Sequence, residues 1–418
     1  MKKKIFIVVN RIREQLWFRP FVFSLISVAV ALAAHMADGT NLNDIVPIIK
    51  IESIKGLLDI LSASMLVISI FAVASMVSAF SAASSTATPR SFKVVVRDDV
   101  SQYALSTFIG AFIFSIVATV AIDNGYFEEA GIFILFLITL VLFTLVILTF
   151  LRWVDRISRL GRLENTIVQI EDIAMKSFSC YIKNPLLNAL PTTGKFPSGK
   201  PVCSEAVGYI QHIDVETLQD LALELDLKIQ LNCLPGKFVH KNFVTAFIHS
   251  SQEVDMDMVT QKVHASIHIG QTRLYDEDPR FGLIALTEIA SRALSPGIND
   301  PGTAIQILGS HERLFFLWQD ELENKTENEL LYNRVEVLQI RMQDFFEDAF
   351  RPISRDGADN LEVMLRLQKT LSALATINHP EIKAAAIEFS KDAFDRASLA
   401  MDYKKDLITL ERECLFNK

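Results

Sequence analysis

Four apolar stretches follow one another between residues 17 and 151, and no other feature restricts the fold as much. A helix needs about 20 mostly apolar residues to cross the hydrocarbon core of a bilayer. Residues 17–36, 57–80, 103–122 and 131–151 each meet that length. Residues 152–418 return to the charged, mixed pattern of a soluble α/β chain. This asymmetry excludes a purely soluble protein, a collagen or coiled-coil fibre and a disordered tail. The expected class is a membrane protein: four transmembrane α-helices, then a cytoplasmic α+β region made of a small β-rich module and C-terminal helices. The 29 Phe against 7 Tyr and 3 Trp suit helices packed in lipid better than a surface that stacks bases.

The first stretch starts basic, with Lys2, Lys3, Lys4, Arg11 and Arg13, as a signal peptide does. Its apolar core is too long for one, and Ala33-Ala34-His35 is a poor cleavage site, so it reads as an uncleaved helix. Cytoplasmic flanks retain Lys and Arg. Residues 1–19 hold six, the loop 86–102 holds Arg90, Lys93 and Arg97, and the flank after the fourth stretch holds Arg152, Arg156, Arg159 and Arg162. The opposite loops hold Lys50 and Lys55, then Asp123, Glu128 and Glu129. Both termini are therefore expected in the cytoplasm.

The second helix stands apart because it is rich in Ser and Ala between residues 62 and 86. Ser75, Ser78, Ala82 and Ser85 share one face at helical spacing, with Ser64 and Ser69 further back. Small residues let helix backbones approach closely, so this face reads as a helix–helix seam. It also reads as the wall of a water-filled path, with hydroxyls replacing lost hydration and Arg90, Lys93 and Arg97 forming a basic inner mouth that favours anions. Ionisable residues in or beside the spans (Arg19, His35, Asp38, Asp59) lie near the interfaces, where boundary residues snorkel. The fourth helix, almost wholly Ile, Leu, Phe, Val and Thr, is expected to face lipid.

Residues 1–16 form an N-terminal cytoplasmic segment, 17–151 the four-helix transmembrane domain and 152–185 a helical stalk that continues the fourth span. Residues 186–204, rich in Pro, Thr, Gly, Ser and Lys, read as a linker. Residues 205–270 read as the β-rich module, and 271–418 as mainly helical, with amphipathic stretches at 329–350 and 361–377 that seek partners. Within that last part, Arg292 and Ser295 close one helix, Pro296-Gly297 turns the chain, and Asn299 or Asp300 caps the next helix with Pro301 at its first position. The plain reading is a capped corner. The alternative is a cytoplasmic binding motif in which Arg292, Ser295, Asn299, Asp300 and the helix N-terminus hold a small anion.

Catalytic patterns are missing: there is no G-x-x-x-x-G-K-[ST], G-x-G-x-x-G, H-E-x-x-H or G-x-S-x-G. His264 and His268, with His240, His249, Asp276 and Asp278, read as polar faces rather than a metal set. Cys180, Cys203, Cys233 and Cys414 lack C-x-x-C spacing and read as reduced thiols. A net charge of −8 argues against nucleic acid. No cofactor, metal or catalytic residue is expected; the partners expected are the lipid bilayer, further copies of the chain and a small ion or anion.

Several short motifs carry a resemblance. Phe80-Ser-Ala-Ala-Ser-Ser85, Pro89-Arg90, Asp98 and Thr107-Phe-Ile-Gly-Ala-Phe112 resemble the second and third helices of a bacterial family of predicted membrane proteins, DUF2254 (domain of unknown function twenty-two fifty-four). Gly208-Tyr-Ile210, Pro235-Gly236 with Phe238-Val239, Asp278-Pro279 with Phe281-Gly282, and Arg292-Ala-Leu-Ser-Pro-Gly-Ile-Asn-Asp-Pro301 are similar to its cytoplasmic part, in the same order. The likeness spans roughly residues 15–320 and departs at Gly302 and at Arg152-Trp153. It implies a bacterial inner-membrane location and the topology above. The residues themselves favour an oligomeric channel or pore, lined by the second helix and regulated by the cytoplasmic region. The alternative is a membrane-anchored sensor or scaffold whose cytoplasmic part binds a ligand or partner.

Overall fold

A computed structural model describes residues 15, 17–38, 46–86, 88–90, 98–192, 199–323 and 330–417. The chain forms two compact units, Met1–Thr166 and Ile167–Lys418. In the first, α1 (Phe18–Ala33) runs on as a 3-10 turn (Ala34–Ala37) and is followed by α2 (Ile51–Thr86), α3 (Asp99–Asp123) and α4 (Glu129–Ile157). Among the described residues four helical spans, Phe18–Ala37, Ile51–Ala83, Asp99–Asp123 and Glu129–Ile157, are long and apolar enough to cross a membrane. All four coincide with the apolar stretches read from sequence.

The bundle is built around α3. Well over half of that span is buried by the rest of the chain, against under a third for each of the others. Three of its buried hydroxyls are satisfied from within: those of Ser106, Thr107 and Ser115 donate to carbonyls four residues back at 2.7, 2.9 and 2.8 Å. Gly110 lets α1 come close, since a Cβ there would lie 3.0 Å from Ser27 Oγ. The fourth helix shows most of its length outward, including Val141, Leu148 and Leu151, as its composition suggests.

Carboxylates fix both ends of the bundle. Asp38 accepts from the backbone N–H groups of Glu128 (3.0 Å) and Gly131, so it caps α4 from a distant segment. A Cβ on Gly131 would fall closer than 3.0 Å to all three atoms of that carboxyl group. At the other end Asp98 caps α3 through Ser101 N (2.9 Å) and accepts from Arg156 Nε (2.7 Å), its side chain 1% exposed. Asp98→Ala removes a cap worth ~1 kcal/mol and an ion-pair partner of Arg156, so a loss of about 2 kcal/mol is expected. Asp99→Ala, which breaks an exposed pair with Arg19, should leave the melting temperature of the detergent-solubilised protein unchanged.

The stalk is helical but not continuous. Helix α4 ends at Ile157, Gly161 takes φ +84°, and α5 (Leu163–Lys183) starts afresh. A Cβ at Gly161 would lie 2.9 Å from the Ala79 carbonyl oxygen, so the turn presses on α2 where only glycine fits. The rigid continuation of the fourth span expected from sequence is therefore replaced by a turn.

The second unit holds two sheets. The strands are β1 (Ala189–Pro191), β2 (Lys200–Cys203), β3 (Gly208–Ile213), β4 (Leu227–Leu231), β5 (Phe238–Val239), β6 (Val244–Ser250), β7 (Ile267–Gly270) and β8 (Tyr332–Val337). Five form a mixed sheet in the order β1-β8-β4-β6-β2, and three form an antiparallel sheet in the order β5-β3-β7. Helices α6 (Val215–Glu224) and α7 (Met256–Ser266) pack on a core of Ile229, Leu231, Ala246, Ile248, Val335 and Val337. The remainder is helical: α8 (Pro279–Ala293), α9 (Pro301–Glu323), α10 (Met342–Asp356), α11 (Leu361–Leu374), α12 (Pro380–Ala400) and α13 (Lys404–Glu411).

Two expectations are corrected here. The linker read at 186–204 contains β1 and β2, both sheet edges, where Pro191 and Pro201 are tolerated because an edge strand leaves N–H groups unpaired. The helical reading of 329–350 overlooks β8, whose Val335 and Val337 point inward in strict alternation. The five-stranded sheet thus draws on residues 189 to 337 and exceeds the module read at 205–270.

Candidate functional site

The second helix packs within its own unit through a face about 100° round the helix from the small-residue stripe. Leu61, Met65, Ala72, Met76, Ala79 and Ala83 turn inward with Phe108 and Trp153. Ser64, Ser78 and Ala82 are exposed, Ser75 is half-buried, and Ser69 is buried on the inner flank. The side chain of Ser85 lies outside the described residues, as do Lys93 and Arg97 of the expected inner mouth; Arg90 is described and exposed. The stripe is therefore not the seam that holds this bundle together. It remains an outward surface.

The Arg292–Asp300 motif forms a corner. Ser295 Oγ donates to Arg292 O at 2.6 Å, Asn299 adopts φ +51°, and Asp300 N–H returns to Ala293 O at 2.8 Å. Asp300 caps α9, accepting from Thr303 N at 3.2 Å and Thr303 Oγ1 at 2.5 Å. A carboxylate thus already occupies the helix N-terminus where a bound anion would sit.

Three other motifs converge on one place in the second unit. Ile210 and Gly236 are bonded across a turn, Gly236 N to Ile210 O at 2.8 Å, with Ile210 N to Lys237 O at 2.9 Å. Gly236 has φ +87°, and a Cβ there would fall nearer than 3.0 Å to every carboxyl atom of Asp278. Asp278, 2% exposed, accepts from Arg273 Nε at 2.6 Å and Nη2 at 2.9 Å. Burial pushes its carboxyl group up, and the Arg273 fork offsets only part of that rise. The Arg273 guanidinium lies over the Phe281 ring at 5.2 Å. Next to it Arg280 donates to Asp348 at 2.5 and 3.1 Å, and a Cβ on Gly282 would strike the Ala174 side chain, so α5 and α8 meet backbone to backbone.

The pattern of the predicted membrane protein family DUF2254 matches residues 13–373. The chain belongs to that family. It is also similar, at 32% identity over 111 residues, to an uncharacterised protein of Mycobacterium bovis and to one of Mycobacterium tuberculosis. Each match covers 26% of this chain and 21% of the relative, so the matched segment is about a fifth of the relatives' length. No solved structure matches. The family resemblance noted from Gly208, Pro235-Gly236 and Asp278-Pro279 thus concerns residues that meet in space, and what they make is a structural pin rather than an open pocket.

The histidines separate. His264, on α7, bonds Cys203 O through Nε2 at 2.8 Å, while His268, on β7, stacks against His212 with ring centroids 5.8 Å apart. His212 Nδ1 lies 2.5 Å from Glu277 Oε1. The helix-to-strand change at Ser266–Ile267 makes the i, i+4 spacing of His264 and His268 irrelevant.

Proposed function

We propose that this is an oligomeric membrane pore whose path forms where copies of α2 bring together Ser64, Ser75, Ser78 and Ala82, with both termini in the cytoplasm. One observation carries the reading: Ser64, Ser78 and Ala82 are exposed on the outside of the bundle, with Ser75 half-buried beside them, while α3 fills the bundle's interior. Small residues left outward suit close approach by another helix, and hydroxyls suit a wet surface. The regulatory role falls to the C-terminal unit.

The test is cysteine accessibility in a background without the four native thiols. Cysteines at Ser75, Ser78 and Ala82 are expected to react with water-soluble thiol reagents and to cross-link between copies. A cysteine at Val73, exposed on the other flank, is expected to stay silent. Silence at Ser75, Ser78 and Ala82, together with no conductance of the reconstituted protein in planar bilayers, would sink the pore. A second reading, a membrane-anchored binding module, is favoured by the cavity that Lys200, Lys228, His249 and Arg334 line in the C-terminal unit.

A further inference from the structure

The open face of the five-stranded sheet carries a row of basic residues. Ile229 pairs with Val335 in parallel register, which sets Lys228 beside Arg334. Lys228 pairs with His249 in the antiparallel register of β4 and β6. Lys200 pairs with Ile248, so the residue before it, Gly199, lies across from His249. One cross-strand row thus reads Arg334, Lys228, His249, Gly199. Like charges set side by side on a sheet destabilise it.

These residues line a cavity of about 460 Å³, within the range that holds small ligands. Lys200 adds a further cation to its rim, and Val254 and Met256 give it an apolar wall. Among the described residues Asp226 is the one carboxylate in the lining, and Arg334 takes it at 2.9 Å. Among the described residues no carboxylate lies within 4.0 Å of Lys200 or Lys228. Gly199 keeps the space clear: a Cβ there would sit 2.8 Å from His249 Nε2 and 2.9 Å from Cε1, so the imidazole lies directly over the glycine.

We propose that this cavity binds a small organic phosphate, its phosphate on Lys228, His249 and Arg334 and its apolar part against Val254 and Met256. Charge-assisted hydrogen bonds from several cations are the usual means of holding such an anion. The proposal stands whether or not the spans conduct.

The experiment is calorimetric titration of the full-length protein in detergent with adenosine monophosphate, pyrophosphate and, as the uncharged probe, adenosine. The two phosphates are expected to bind with an affinity that falls as salt rises, and adenosine to give no heat. Lys228→Gln should weaken binding about tenfold, and Lys228→Gln with Arg334→Gln about a hundredfold. Gly199→Ala should weaken it by displacing the His249 ring. Melting curves of the free variants that match the native protein show that the fold is retained. Short-chain phosphatidate in the same detergent separates the sources: displacement of adenosine monophosphate assigns the phosphate to a lipid headgroup, and binding of adenosine monophosphate without competition assigns it to a soluble ester. Absence of heat with every phosphate probe, or equal affinity in the Lys228→Gln variant, would overturn the site.

Discussion

Gly236→Ala is expected to destabilise the C-terminal unit by about 4–7 kcal/mol, through a position that no charge or hydropathy pattern marks. Two effects add. An alanine held at φ +87° meets the left-handed penalty of roughly 1–2 kcal/mol. Its Cβ also enters the space of the Asp278 carboxyl group, which has nowhere to go because Arg273 holds it in a two-point fork and the group is buried. Forcing a buried carboxylate off its arginine costs about 3–5 kcal/mol when the remaining charge finds no partner. Asp278→Ala should cost a similar amount alone. The double variant Gly236→Ala with Asp278→Ala should cost clearly less than both singles together, since the new Cβ then meets no carboxyl group. Denaturant unfolding of the four proteins in detergent measures this coupling. Strict additivity, or a Gly236→Ala penalty under about 1 kcal/mol, would show that the turn and the carboxylate adjust independently.

That pin also shows what could be read from the sequence and what could not. The spans were legible because a run of about 20 apolar residues has one physical solution in lipid. A cap at Asn299 or Asp300 was legible because Pro301 marks the first position of the next helix, and the structure gives the cap to Asp300. The contact of Gly236 with Asp278 joins residues 42 apart, and nothing local in either motif announces the other. β8 was missed because its Val335 and Val337 alternate over six residues only, next to a strongly amphipathic helix whose period dominates a longer window. The basic row escaped for the same reason: Lys200, Lys228, His249 and Arg334 are scattered singly in sequence and gathered by register. The outward placement of Ser78 and Ala82 is shared with Leu66, Val67, Ile70, Phe71 and Val77, while Ala72, Ala79 and Ala83 turn inward, so side-chain size alone does not mark which flank of α2 packs.

The stability of the C-terminal unit is expected to fall as pH drops from 7 to 5, and one histidine to account for about 2 kcal/mol of that fall. His311 is fully buried on α9, 5.8 Å from the Phe350 ring. Its Nε2 lies 3.0 Å from Thr287 Oγ1, and that hydroxyl donates onward to Ala349 O at 3.2 Å, so Nε2 carries the proton and the threonine oxygen accepts it. Nδ1 has no hydrogen-bond partner among the described residues. Burial pushes the imidazole down to about 3, against a weaker upward pull from Glu171. The unfolded chain therefore takes up a proton below pH ~6.5 that the folded chain refuses until about pH 3, so stability is lost as pH falls through that window. His311→Leu removes the titration and leaves no donor stranded, because the Thr287 hydroxyl keeps its bond to Ala349 O. The variant should match or exceed the native protein at pH 7 and show a flatter decline, the gap widening by roughly 5 °C in melting temperature at pH 5. Asp278 and Asp348, pushed up by burial, titrate in the opposite sense but are common to both proteins, so the difference between the two curves isolates His311. Parallel curves would mean that the folded state protonates this imidazole as readily as water does, and that the core around Thr287 and Phe350 admits solvent.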